Sequence, residues 1–175
     1  MDREELRRRF LAGERDFTGV DWRGVSLHTL DLTGIILVGA NLARSNLKDV
    51  MFDDANLEGA CFDGADLGEA RFQNANLRQA RFNNSTLFGV YFNGCDLDDA
   101  SLKGADLRKA FFQETTLRRA NLEDILSEGI KFTDTDFTGA KIGISDIANK
   151  DRWAVRVTLP DGEIYTLPRL EGENL

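Results

Sequence analysis

The stretch "DDANLEGACFDGADLGEARFQNANLRQARF", residues 53–82, places Leu or Phe at every fifth position, with Ala two residues before each. A helix repeats every 3.6 residues and a flat strand every two, so neither keeps such a pattern on one face. The register reaches well beyond the quoted segment. It runs from Phe17, Trp22 and Leu27 to Leu117 and Leu122 without a gap, lapses at Ser127, and resumes at Phe132, Phe137, Ile142 and Ile147.

Two inward slots follow from this spacing, one large and one small, the small one taken by residues such as Ala40, Ser45, Cys95 and Ala110. Two positions after the large residue stands Gly at Gly19, Gly24, Gly59 and Gly104 among others, and often Asn or Asp elsewhere. That composition suits the third position of a type II turn, where φ is positive. A short extended bend followed by a turn, repeated four times, closes a square of about 20 residues per coil. Stacked at about 4.8 Å, nearly seven coils make a rod roughly 30 Å long.

The pattern resembles the pentapeptide-repeat family, whose loose motif A(D/N)LXX stands here as "ANLEG", "ADLGE", "ANLRQ", "CDLDD", "ADLRK" and "ANLED". The resemblance covers roughly residues 15–149. It implies an all-β solenoid, a right-handed quadrilateral β-helix of pentapeptide repeats, and the handedness rests on the resemblance alone. The flanks read as covers for the open coil ends. Residues 1–14 form a capping helix, with Asp2 as N-cap and Gly13 as stop. Residues 150–175 hold a β-hairpin, in which Trp153, Val155, Val157 and Leu159 alternate before a turn at Pro160-Asp161-Gly162 and a return through Ile164 and Tyr165, and then a loose tail.

Sorting residues by coil gives columns. One inward column reads Leu32, Phe52, Phe72, Phe92, Phe112, Phe132, a Phe ladder that holds coils in register. Outside that ladder runs Asp31, Met51, Arg71, Tyr91, Phe111, Lys131, where the family's usual Asp or Asn is missing five times running. Tyr, Phe, Met and Arg are enriched at protein interfaces, so Met51, Arg71, Tyr91, Phe111 and Lys131 are the candidate interaction surface, with Arg71 placed to lie over Tyr91. On another side Glu58, Arg78, Asp98 and Arg118 alternate in sign, as a salt-bridge ladder would. The outward Asp and Asn before each large residue, such as Asn56, Asn76 and Asp96, are read as bonding nearby turn amides rather than as a carboxylate site. At Ser127 the coil is expected to continue with a local distortion, Ile125 filling the interior from the small slot.

Catalytic, cofactor and metal sites are all read as none. The one histidine, His28, falls on an outward turn. Cys61 points outward and Cys95 inward, which argues against a disulfide between them. A formal charge of −8 argues against direct nucleic-acid binding and against an anionic membrane surface. No run of about 18 apolar residues and no signal-peptide pattern occurs, so a cytoplasmic protein without a membrane span is expected.

The resemblance implies a non-enzymatic scaffold or adaptor, most like the short cyanobacterial members, with an unidentified protein partner and a monomer or weak homodimer as its own state. The alternative is the DNA-mimic class within the family, which occupies DNA gyrase or topoisomerase. The acids Asp49, Asp53, Asp54, Glu58, Asp63, Asp66 and Glu69 ring one circuit without a Lys or Arg. The next circuit holds Arg71, Arg78 and Arg81 without an acid, whereas a phosphate imitator needs an unbroken anionic stripe.

Overall fold

Each five-residue unit satisfies its own backbone, and one unit shows how. Asn56 N donates to Ile35 O on the coil before (2.9 Å), Leu57 N and Gly59 N donate to Asn76 O and Arg78 O on the coil after (both 2.8 Å), and Ala60 N closes the turn on Leu57 O (3.0 Å). One amide is left over, that of Glu58, and Asn56 Oδ1 accepts it at 3.3 Å. The outward Asn or Asp therefore supplies the one acceptor for the fifth amide within the repeat. Where another residue stands there, as at Arg81, a carboxylate of the neighbouring coil can take it, Asp63 Oδ1 accepting Asn83 N at 3.0 Å. The bond within the repeat recurs at Asp16, Asp31, Asn46, Asn76, Asp96, Asn121 and Asp136, as the sequence reading expects of these side chains.

The structure, a computed structural model, describes residues 2–143, 146 and 153–166. Parallel bridges at 20-residue spacing run from Asp16↔Ile36 to Asn121↔Lys141 and stack the four-sided coils. The turn corners have positive φ, 66° at Gly59 and 57° at Asn74. At Thr29 (φ 62°) a β-branched residue is held in the left-handed region, which it tolerates poorly.

The interior is largely apolar, and the buried hydroxyls of Ser45, Ser85 and Thr135 in its small slots each donate to a backbone carbonyl. Phe52, Phe72, Phe92 and Phe112 stack with centroids 5.2, 5.1 and 4.9 Å apart, and Phe132 continues the column with a tilt. A second stack, Phe62 on Phe82 at 4.8 Å, meets this ladder edge-on. The two columns interlock, so a slip of one coil would break contacts on both.

At the N-terminal end α1 (Arg3–Leu11) begins where Asp2 accepts from Glu5 N at 2.9 Å, with Glu4 and Glu5 in the first turn and Arg8 and Arg9 in the last, as the helix dipole favours. Gly13 (φ 95°) follows the helix, donating to Phe10 O at 3.0 Å. Leu6 is fully buried and Phe10 packs against the same core, so the helix lies over the first coil.

Three strands, β1 (Tyr91–Asn93), β2 (Phe111–Gln113) and β3 (Lys131–Thr133), form a parallel sheet on the side of the Phe ladder. The fourth member is β4 (Trp153–Val155), parallel to β3 with Lys131 opposite Trp153. The alternation around Trp153 reads as one long hairpin. The hairpin is in fact confined to β5 (Val157–Thr158) and β6 (Ile164–Tyr165), antiparallel, with Val157 fully buried. The chain resumes the coil before it folds back: Asp136 bridges to Thr158, and Arg156 Nε reaches Asp134 Oδ1, 22 residues away, at 2.5 Å. Alternation identifies a strand but not its partner, and the open upper edge of β3 supplies one.

Ser127 does not break the backbone register. Leu107 N donates to Leu126 O (2.8 Å), Lys109 N to Glu128 O (2.9 Å), and Gly129 turns at φ 68° like its counterparts. Ser127 occupies the large slot itself, buried, its hydroxyl donating to Asp146 Oδ1 at 2.8 Å. Ile125 is partly buried against the core from the small position, as expected. Ile147 and the tail beyond Thr166 lie outside the described residues.

Candidate interaction surface

Bridges place Asp31, Met51, Arg71 and Tyr91 directly above one another, and the sheet continues the column through Phe111 to Lys131. Asp31 holds its own turn amide, that of Thr33, at 3.0 Å, but from Met51 to Lys131 the column offers no Asn or Asp of its own for this bond. At Arg71 the coil below compensates: Asp53 Oδ1 accepts Gln73 N at 2.9 Å, and the same carboxylate pairs with the Arg71 guanidinium at 2.9 Å. Arg71 is thus drawn to Asp53 instead of lying over Tyr91, because a charge-assisted bond outweighs an exposed cation–π contact. The stacked pair is Tyr91 on Phe111, 5.0 Å apart and 3° from coplanar. Above them Lys131 Nζ stands 5.0 Å from the Phe111 ring centre. Tyr91 is 41% exposed, and Phe111 and Met51 are half-buried.

Around the corner from Tyr91 lies Phe88, half-buried, with Lys109 Nζ 5.2 Å from its ring centre. Neither residue was singled out from the sequence. The available signal was the 20-residue column His28, Lys48, Gly68, Phe88, Arg108, Glu128, in which Phe88 is the one aromatic ring of six carbons.

The other charges are largely paired between coils. Arg78 reaches Asp96 at 3.2 Å and Asp98 at 3.5 Å, Arg119 pairs with Asp99 at 2.7 Å, and Arg118 with Asp136 at 2.7 Å. Asp98, nearly buried, also accepts Arg118 N at 3.0 Å. At the lower end of the expected ladder, Glu58 instead accepts from the Asn76 side chain at 3.3 Å. Three acids of the ring are paired with neighbouring coils: Asp53 with Arg71, Asp63 with Arg81, and Asp66 with Lys48 at 3.0 Å. The hydrogen bonds from Arg119 and Arg108 hold the Asp99 and Asp106 carboxyls below the usual carboxylate range.

Cys61 and Cys95 are free thiols. Burial pushes the Cys95 thiol up to about 12, and its Sγ donates to Phe72 O at 2.6 Å. His28 is exposed, with Nδ1 3.0 Å from Ser26 Oγ. Among the described residues no cluster of His, Cys, Asp and Glu could hold a metal ion. None of their helices is long and apolar enough to cross a membrane.

A family model for pentapeptide repeats, eight copies long, matches residues 28–64, 52–89, 65–104 and 85–124. The chain belongs to the pentapeptide-repeat family. Its fold is accordingly the right-handed quadrilateral β-helix. Among solved structures, this pentapeptide-repeat protein is similar to a trypsin-treated variant of QnrB1, a plasmid-mediated fluoroquinolone resistance protein, at 16% identity and TM-score 0.56, over 82% of this chain and 79% of that one. It is also similar to HetL from the cyanobacterium Nostoc sp. strain PCC 7120, a protein involved in heterocyst differentiation regulation, at 20% identity and TM-score 0.32, over 94% and 100% of the two chains. A pentapeptide repeat protein of the Arabidopsis thaliana thylakoid lumen is 26% identical, with TM-score 0.37, over 68% and 66%. Comparison with curated proteins gives no match.

Proposed function

We propose that this pentapeptide-repeat protein is a non-enzymatic scaffold or adaptor of the cytoplasm that binds a partner protein through the column Met51, Arg71, Tyr91, Phe111 and Lys131. The observation that carries this reading is the exposed Tyr91–Phe111 stack, standing at the outward position where Asn or Asp recurs in other repeats. Replacing those residues gives up the turn-amide bond, and the rings offer rigid contact area in exchange. The free thiols accord with a reducing compartment. Quantitative cross-linking in the native host should recover a partner with the wild type and lose it with Tyr91→Ser/Phe111→Ser, at unchanged circular dichroism. Equal recovery by both proteins would refute the column as the contact.

Mimicry of DNA toward gyrase or topoisomerase is the second reading, favoured by the charge of −8 and the fold shared with QnrB1. Against it stand the coil-to-coil pairs Arg71–Asp53, Arg81–Asp63 and Lys48–Asp66, which interrupt the anionic surface. Inhibition of gyrase supercoiling that is lost when Asp53, Asp54, Glu58 and Asp63 are neutralised would reverse the ranking.

A further inference from the structure

The corner beside the aromatic column is concave, a groove of about 450 Å³ between Phe88 on one side and the Tyr91–Phe111 stack on the other. Its floor is a column of turn corners, Glu69, Gly89, Lys109 and Gly129, all with positive φ. Opposite charges thus stand two coils apart with a glycine between them. The glycines leave room for the side chain rising from the coil below: a Cβ placed on Gly89 would stand 3.6 Å from Glu69 Cγ, and one on Gly129 3.5 Å from Lys109 Cγ. Both side chains therefore lean up the rod, and the midpoint between their charges falls beside the ring stack. Both residues are exposed, and among the described residues neither has an ion-pair partner, Lys109 meeting the face of Phe88 at 5.2 Å. The other cations of this face are engaged, Arg71 by Asp53 and Lys131 over Phe111 and elsewhere. The groove carries no net charge. It has one acid and one base, one toward each end of an apolar pair.

We propose that the occupant of this face is a second copy of this chain, lying antiparallel to the first. A segment of one charge sign would meet repulsion at one end of the groove, whereas the same surface turned about a two-fold axis across the rod meets none. An isologous contact sets residue i against j and j against i. With the axis at the level of the rings, Glu69 of each copy faces the partner's Lys109, and Tyr91 faces the partner's Phe111, so the charges and the apolar area are both self-complementary. The contact spans about four coils, roughly 20 Å, which places it at the small end of protein interfaces and makes the dimer weak and concentration-dependent. The inference rests on the reading of the column as a contact surface, names its partner, and adds Glu69 and Lys109, which lie outside that column.

The test is sedimentation velocity of the purified full chain at about 10 to 500 µM, the range that a small interface calls for. The wild type should pass from monomer to dimer. Glu69→Lys and Lys109→Glu should each weaken the dimer by about tenfold or more, because two attractive contacts become repulsive. An equimolar mixture of these two variants should dimerise again, one chain now carrying lysine at both ends of the groove and the other glutamate. Glu69→Lys/Lys109→Glu in one chain should also restore the dimer. Both positions are exposed corners with φ 59°, so the exchange leaves the backbone unchanged, and circular dichroism verifies the coil. A chain that stays monomeric over the whole range, a dimer indifferent to either single change, or a mixture that stays monomeric would each overturn the proposal. If the chain is monomeric while Tyr91→Ser/Phe111→Ser still abolishes cross-linking to a different protein in the host, that protein is the occupant and the column reading stands without the second copy.

Discussion

Phe92→Ala tests whether the coil stack depends on its aromatic interior. The ring is fully buried, stacked on Phe72 at 5.1 Å and on Phe112 at 4.9 Å, and it meets the edge of Phe82 at 5.9 Å. Truncating a buried Phe costs about 3–5 kcal/mol, the spread reflecting how far the surroundings collapse into the space. Collapse is restricted here. Phe72 N is bonded to Tyr91 O at 2.9 Å and β1 is paired to β2, so the neighbouring rings are held at coil spacing from both sides. The loss should therefore lie in the upper half of that range, about 4 kcal/mol, or a fall in thermal midpoint of about 8–16 °C for a chain of this size. Urea unfolding followed by far-ultraviolet circular dichroism reads it as a lower midpoint at unchanged slope. Phe92→Leu, which keeps most of the volume, should cost about 1.5 kcal/mol. A loss below about 1 kcal/mol for Phe92→Ala, or equal losses for Ala and Leu, would refute the argument from a rigid, filled column.

Three further outcomes follow from local chemistry. Thr29→Asn should raise stability by about 0.5–1 kcal/mol in the same urea assay, because Asn accepts positive φ where a β-branched residue is strained, and the Thr29 N bond to Lys48 O is kept; a loss would show that the Thr29 hydroxyl bond to His28 O matters more. In thiol titration the native chain should expose the half-buried Cys61 and protect Cys95, with both reacting in denaturant, since burial pushes the Cys95 thiol up to about 12; two fast-reacting native thiols would contradict its placement. Asp99 and Asp106 titrate below their unfolded values, so the unfolded chain takes up protons first as pH falls; their contribution is complete above about pH 4 and lost as pH drops through the depressed folded values. Thermal midpoints should then be level from about pH 8 to 5 and decline below about pH 4. Asp106→Asn should shallow that decline, and an unaltered acid limb would show that this carboxylate is not among its causes.

Most of the architecture was legible because the repeat is local. A large residue, a turn corner and a small residue recur within five positions, and each demand falls on a single side chain: volume inside, positive φ at the corner, an acceptor for the leftover amide. Phe52, Ala55 and Asn56 are each explained by their own place in the unit. The continuation of the coil through Ser127 was legible for the same reason, since the backbone pattern on either side outweighs one polar residue in a large slot.

The stacking of coils decided the rest. Arg71 had Asp53 and Tyr91 within reach on its two neighbouring coils, and only their relative placement shows that the carboxylate takes it. Phe88, Tyr91, Lys109 and Lys131 lie on three successive coils, so their convergence on one groove has no mark in any single repeat. Trp153 belongs to a strand by its alternation, yet its pairing with Lys131 depends on where β3 leaves an open edge. Inward side chains answer to one fixed volume and can be read along the chain. Long outward ones choose among several partners of similar energy, and the choice is made between coils.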